Sequence, residues 1–147
     1  MKTVTAIIID DEELVAVNVK SHNNYFGIEV MATTAGFYKI ADSIINHPSD
    51  KFALVKIPSD LYPATKENIV THYLSDSNGL ISVQLSGSDL VFLGDEKAFD
   101  KLAEFIKSCN NIPEDGHFHL DSFSNENLLT ESDHSFVFSR IFNNANN

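Results

Sequence analysis

Two stretches of this sequence carry apolar residues in the same helical frame, and most of the rest alternates. Phe37, Ile40, Ala41 and Ile44 fall at i, i+3, i+4 and i+7, and so do Phe99, Leu102, Ala103 and Ile106. That spacing lines four side chains along one stripe of a helix. It predicts helices over 34–46 and 96–108. Pro48 stops the first, and Asn110, Asn111 and Pro113 end the second. Asp95 stands where an N-cap carboxylate accepts a free backbone N–H. Shifted by 62 residues, so that Phe37 falls on Phe99, the two helices share Phe, Lys, Ala and Ile at matching positions. The preceding strands align too, with Ile28, Val30 and Met31 on Leu90, Phe92 and Leu93. The order hairpin, helix, strand therefore occurs twice, as two diverged copies of one unit or as two unrelated amphipathic helices.

The alternating segments read as strands. Thr5–Ile9 and Leu14–Val19 flank Asp10-Asp11-Glu12-Glu13 as a hairpin with an acidic turn. Phe26–Ala32, Ala53–Ile57, His117–Asp121 and Ser135–Phe142 are further strands. Leu80–Leu85 and Asp89–Leu93 flank Ser86-Gly87-Ser88, read as a three-residue turn. Pro63–Tyr73 is expected to be a short helix, with Pro63 in its first turn. Together these predict an α+β fold with an antiparallel or mixed sheet of about eight strands and two main helices on one face. Residues 1–142 are expected to form a single domain, and 143–147 a flexible tail.

At 147 residues the chain has the usual size of one domain. Phe is abundant and Trp absent, so Phe is expected to dominate the packing. Cys109 is the lone cysteine, so no intramolecular disulfide forms, which fits a reducing cytoplasm. No apolar run approaches a signal-peptide core or a membrane span. The net charge is -11, from 21 acids and 10 bases. Such a surface repels nucleic acid and anionic membranes, and it favours a basic partner through complementary fields. Nothing in the sequence demands an oligomer. No phosphate-binding glycine loop, nucleophile elbow or activated cysteine is present, so neither catalysis nor a cofactor is expected.

The densest polar feature is His117-Phe118-His119-Leu120-Asp121. On a strand, His117, His119 and Asp121 share one face, with neighbours roughly 6.6 Å apart. His134 is expected to approach from an adjacent strand. Three readings stay open: a polar recognition surface, a structural cluster with Asp121 orienting His119, and a metal site or metal-dependent enzyme built on His117, His119 and Asp121. The metal reading is weak, because two imidazoles and one carboxylate on one strand make a poor ligand set. Asp10-Asp11-Glu12-Glu13 after an apolar strand also mimics a signalling receiver domain, as does Asp60-Leu61-Tyr62-Pro63. That likeness fails where Leu54–Ile57 lacks a phosphoacceptor Asp and Val15, Val17 and Val19 alternate as a strand.

From Leu80 onward a family likeness emerges. It is carried by Ile81-Ser82-Val83, Gly87-Ser88-Asp89-Leu90-Val91, Gly94-Asp95-Glu96-Lys97-Ala98 and Leu102-Ala103. Gly116-His117-Phe118-His119-Leu120-Asp121 is the strongest segment, followed by Leu128-Leu129, Ser132 and Phe136-Val137-Phe138-Ser139. In order and spacing this resembles the immunity protein 32 family of bacterial polymorphic-toxin systems. Looser likeness extends back to residue 28 through Ile40-Ala41 and Asp60-Leu61-Tyr62-Pro63, and the amino-terminal hairpin is not covered. The resemblance implies a protein that binds and neutralises a cognate toxin domain by covering its active or binding site. The acidic charge would match a basic toxin. The residues expected to contact it are His117, His119, Asp121, Glu126, Glu131, Asp133 and His134.

Overall fold

The computed structural model describes residues 13–22, 25–46, 51–57, 59–114 and 116–141. The expected strand Thr5–Ile9, the acidic turn before Glu13 and the tail 143–147 lie outside them. Among the described residues the chain is α+β, with two α-helices and nine strands. In order these are β1 (Val15–His22), β2 (Tyr25–Ala32), α1 (Thr34–Asn46), β3 (Lys51–Ala53), β4 (Ala64–Thr65), β5 (Asn68–Tyr73), β6 (Ser82–Ser86), β7 (Asp89–Gly94), α2 (Glu96–Ser108), β8 (Phe118–Asp121) and β9 (His134–Arg140). The strands divide between two mixed sheets. Sheet A runs β4-β1-β2-β9-β8 and sheet B runs β3-β5-β7-β6.

Both helices match their expected spans, because a 3.6-residue period is a local property of the chain. Three expectations are corrected. Pro63–Tyr73 is not helical: Asn68–Tyr73 buries Ile69 and Thr71 alternately beside β7, so sheet pairing sets its conformation. The strand at Ala53–Ile57 lies earlier, at Lys51–Ala53, and residues 54–57 leave the sheet. The β6–β7 turn has two central residues, Gly87 and Ser88, with Gly87 at φ +57° as a tight hairpin requires.

Two consecutive halves share one connectivity. Each is a hairpin (β1–β2, β6–β7), a helix (α1, α2), a strand (β3, β8), a long connection and a last strand (β5, β9). In each half the helix carries the chain from its own sheet to the other one. So β5 pairs in parallel with β7, and β9 in parallel with β2. The registers make the match residue by residue: Val30 lies beside Phe138 as Phe92 lies beside Thr71. The repeat read from the sequence is therefore present as a repeat of topology.

The helix starts repeat as well. Thr33 Oγ1 accepts the N–H of Gly36 at 3.1 Å, and Asp95 Oδ1 accepts that of Ala98 at 2.8 Å. Each cap leaves fewer orphan donors in the first turn. Each strand-to-helix junction has space for one small side chain and one bare Cα. A Cβ on Gly36 would lie 2.2 Å from Leu14 O, and one on Gly94 would lie 2.9 Å from Ala98 Cβ. The first half thus reads Ala32…Gly36 where the second reads Gly94…Ala98.

All of this closes on one core. Val15, Val17, Ile28 and Val30 from sheet A meet Ile69, Leu90 and Phe92 from sheet B and the apolar stripes of both helices. Phe92 and Phe136 stack across the two sheets with centroids 5.9 Å apart. Phe105 of α2 meets Phe138 edge-on at 5.2 Å.

The long connections reach back across the molecule in matching fashion. After β3, Val55 N–H donates to Val15 O at 2.9 Å, clasping sheet A. After β8, Thr130 N–H donates to Ile81 O at 3.0 Å and Ile81 N–H to Leu128 O at 2.7 Å, clasping sheet B. The first clasp also covers the outer side of β1: Asn18, fully buried, donates to Ile57 O at 2.9 Å. Tyr62 lies over Gly27, where burial and the neighbouring Glu29 hold its phenol above the ordinary range.

Candidate functional site

Among the described residues, strand β8 is an edge of sheet A, paired with β9. Its alternation buries Leu120 and leaves His119 exposed on the outer face. His117 is exposed too, and its ring meets that of His119 edge-on at 4.6 Å. The cross-strand row from His119 runs through Val137 and Glu29 to Asn18. The two histidines are thus together on an accessible surface, as the spacing predicts.

Asp121 keeps the strand parity of His119, and its side chain also shapes the turn that follows. Its Oδ1 accepts Ser124 N–H at 2.7 Å, and its carbonyl accepts Asn125 N–H at 2.9 Å. Asn125 Oδ1 returns the contact by accepting Asp121 N–H at 3.1 Å. Asp121 is therefore the hinge of a tight polar turn, with its Oδ1 engaged there. Among the described residues, no group of three or more His, Cys, Asp or Glu is arranged to hold a metal.

His134 does not join the pair. It shares strand parity with the buried Phe136 and Phe138, whereas His119 faces outward opposite Val137. Its ring stacks on Phe26 at 5.2 Å, and among the described residues Nδ1 has no hydrogen-bond partner. Burial holds its pKa below the ordinary histidine value, against the pull of nearby Asp133. Asp133 is exposed, and its carbonyl accepts Phe26 N–H at 2.9 Å.

The connection between β8 and β9 is laced to the body of the fold. Ser122 Oγ and Ser132 exchange two contacts at 3.3 Å, and Lys101 Nζ donates to Asn127 O. Leu128 and Leu129 are buried beneath it, and Ile81 clasps it as described. On its outer side lies a groove of about 720 Å³, floored by Leu80 and Leu129. Glu126 and Glu131 line it, both exposed, together with Phe123. Phe123 is 95 % exposed, the highest value among the large apolar side chains described. Sequence reasoning missed it. The signal available was a large aromatic in a polar stretch, Asp121-Ser122-Phe123-Ser124-Asn125-Glu126, with no apolar neighbour to share a face.

Other candidate chemistry is quiet. Cys109 is buried, and burial pushes its thiol up to about 12, so little thiolate is available at neutral pH. Glu13, the described end of the acidic turn, sits 3.3 Å from Lys39 Nζ. Two mixed sheets with two helices do not have the alternating strand and helix order of a receiver domain. No helix among the described residues is long and apolar enough to cross a membrane. No family model, no curated protein and no solved structure matches the chain.

Proposed function

We propose that this chain is an immunity protein, a cytoplasmic inhibitor that binds and neutralises a cognate bacterial toxin domain by covering its active or binding site. The observation that carries the reading is the β8–β9 connection: a tied-down loop whose groove is lined by an exposed aromatic and two carboxylates, on a protein of net charge -11. Rigid presentation lowers the ordering cost of association. Aromatic residues on such a platform contribute most to affinity when buried by a partner. The acidic field speeds encounter with a basic partner. The motif resemblance over Leu80–Ser139 supports the same reading.

The test is co-expression with the toxin domain encoded beside this chain. The expected result is protection of the cells and nanomolar or tighter binding, with an association rate that falls as salt rises while dissociation changes little. No protection and no binding would end the proposal. Stoichiometric zinc, manganese or iron lost on His117→Ala would favour the metal reading instead.

A further inference from the structure

The groove at the β8–β9 connection has a shape and chemistry that select one kind of occupant. Its floor is apolar at Leu80 and Leu129, and its acceptors are the carboxylates of Glu126 and Glu131. Among the described residues no ion pair or hydrogen bond ties either carboxylate down. Ser122 and Ser132, by contrast, already bond to each other. A lysine or arginine side chain has an apolar stem and a cationic end, which is the complement of this lining. Phe123 adds an aromatic face to which a cation is drawn. An acidic peptide or a nucleic acid backbone would meet two unpaired carboxylates and be repelled.

We infer that this groove docks a lysine- or arginine-rich segment of a protein partner, with Phe123 as the anchor that the partner buries. The inference rests on the proposed inhibitory role and deepens it by naming the contact surface. It assigns the leading part to Phe123, Glu126 and Glu131. Asp121 serves instead to shape the loop that holds Phe123 outward.

The experiment uses the full chain, labelled with 15N, and two probes: a short lysine- and arginine-rich peptide and its glutamate counterpart. Amide shifts on adding the basic peptide are expected at 122–132 and Leu80, with none from the acidic peptide. Phe123→Ala is expected to weaken binding about tenfold or more. Glu126→Gln with Glu131→Gln is expected to weaken it and to flatten its salt dependence. Phe123 is almost wholly exposed, so its replacement should leave the denaturation midpoint unchanged. Shifts spread over the whole acidic surface, or an affinity indifferent to Phe123→Ala, would overturn the assignment. So would a dimer of the chain that Phe123→Ala dissolves, since the occupant would then be a second copy. Co-expression separates this from the functional reading. If the toxin is still neutralised by the Phe123→Ala and Glu126→Gln/Glu131→Gln variants, the groove is wrong and the role stands. If the groove takes the peptide but the toxin is not neutralised, the role is wrong and the site stands.

Discussion

Where the second half of the molecule packs two aromatic rings, the first half places two hydroxyls. Phe105 on α2 and Phe138 on β9 meet edge-on at 5.2 Å. Their counterparts by helix alignment and sheet register are Ser43 on α1 and Thr71 on β5. Ser43 and Thr71 line a gap with Ile40, Ile44, Phe52 and Ile69 that is too small for a water molecule. The same scaffold thus tolerates a dense and a loose version of one packing site. The long connections diverge in use as well. The first is spent on burying β1, with Asn18 and Tyr62 beneath or within it. The second leaves a groove and an exposed Phe123. The shared connectivity sets the frame, and the divergent connections decide which half leaves an aromatic exposed beside a groove.

The comparison breaks most sharply in the core. Phe37→Ala and Phe99→Ala should each destabilise by roughly 3–5 kcal/mol, and by similar amounts, because each fills the same place in its half. Phe138→Ala should cost as much. A denaturation midpoint that moves for one helix and not the other would deny the equivalence. The caps come next. Thr33→Ala should cost about 1 kcal/mol, with no dependence on pH. Asp95→Ala should also destabilise, but its effect should vanish in acid. Hydrogen bonds from the N–H of Ala98 and then Gly79 hold the Asp95 carboxyl below its usual range. Its contribution is therefore complete above the ordinary carboxylate pKa and lost as the pH falls through and below it. Denaturation at neutral and acid pH would separate the two caps.

A smaller effect concerns His134, which has no counterpart histidine in β5 at the matching register. Burial depresses its folded pKa below about 6.5. Stability should be undiminished above that value and decline as the pH falls below it, since the unfolded chain takes up the proton first. His134→Phe, which keeps a ring against Phe26, should reduce that decline relative to the parent protein. The smallest change is expected at the surface. His117→Ala and His119→Ala should shift stability by less than about 0.5 kcal/mol, measured by the same denaturation.

What the sequence made legible follows from how local each signal is. The stripes Phe37–Ile44 and Phe99–Ile106 recur within one helix, so both spans and the Asp95 cap could be read directly. The outward pairing of His117 and His119 followed from strand alternation alone. The division into two sheets was not legible, because β2 meets β9 and β5 meets β7 through contacts set by the whole chain. Pro63 suggested a helix start, but the pairing of Asn68–Tyr73 with β7 overrode that local preference. The turn at Asp121 was not legible either, because it depends on Ser124 N–H reaching the carboxylate and on Asn125 pairing with the Asp121 backbone. Phe123 passed unnoticed because exposure is a property of the surroundings, and a lone aromatic carries no period.

The exchange of last strands between the sheets also has a consequence in time. On the ribosome β2 emerges early and β9 late, roughly a hundred residues apart, which is the kind of distant pairing that slows folding. Until β9 is synthesised, β8 lacks the one neighbour it has among the described strands of sheet A, and the edge of β2 that β9 covers stays open. The nascent chain therefore carries Ile28 and Val30 without their final cover for most of its synthesis, when aggregation competes with folding. Stopping translation before His134 would remove an inner strand of sheet A, and the loop bearing Phe123 would rest on its clasp to Ile81 without the strand that follows it.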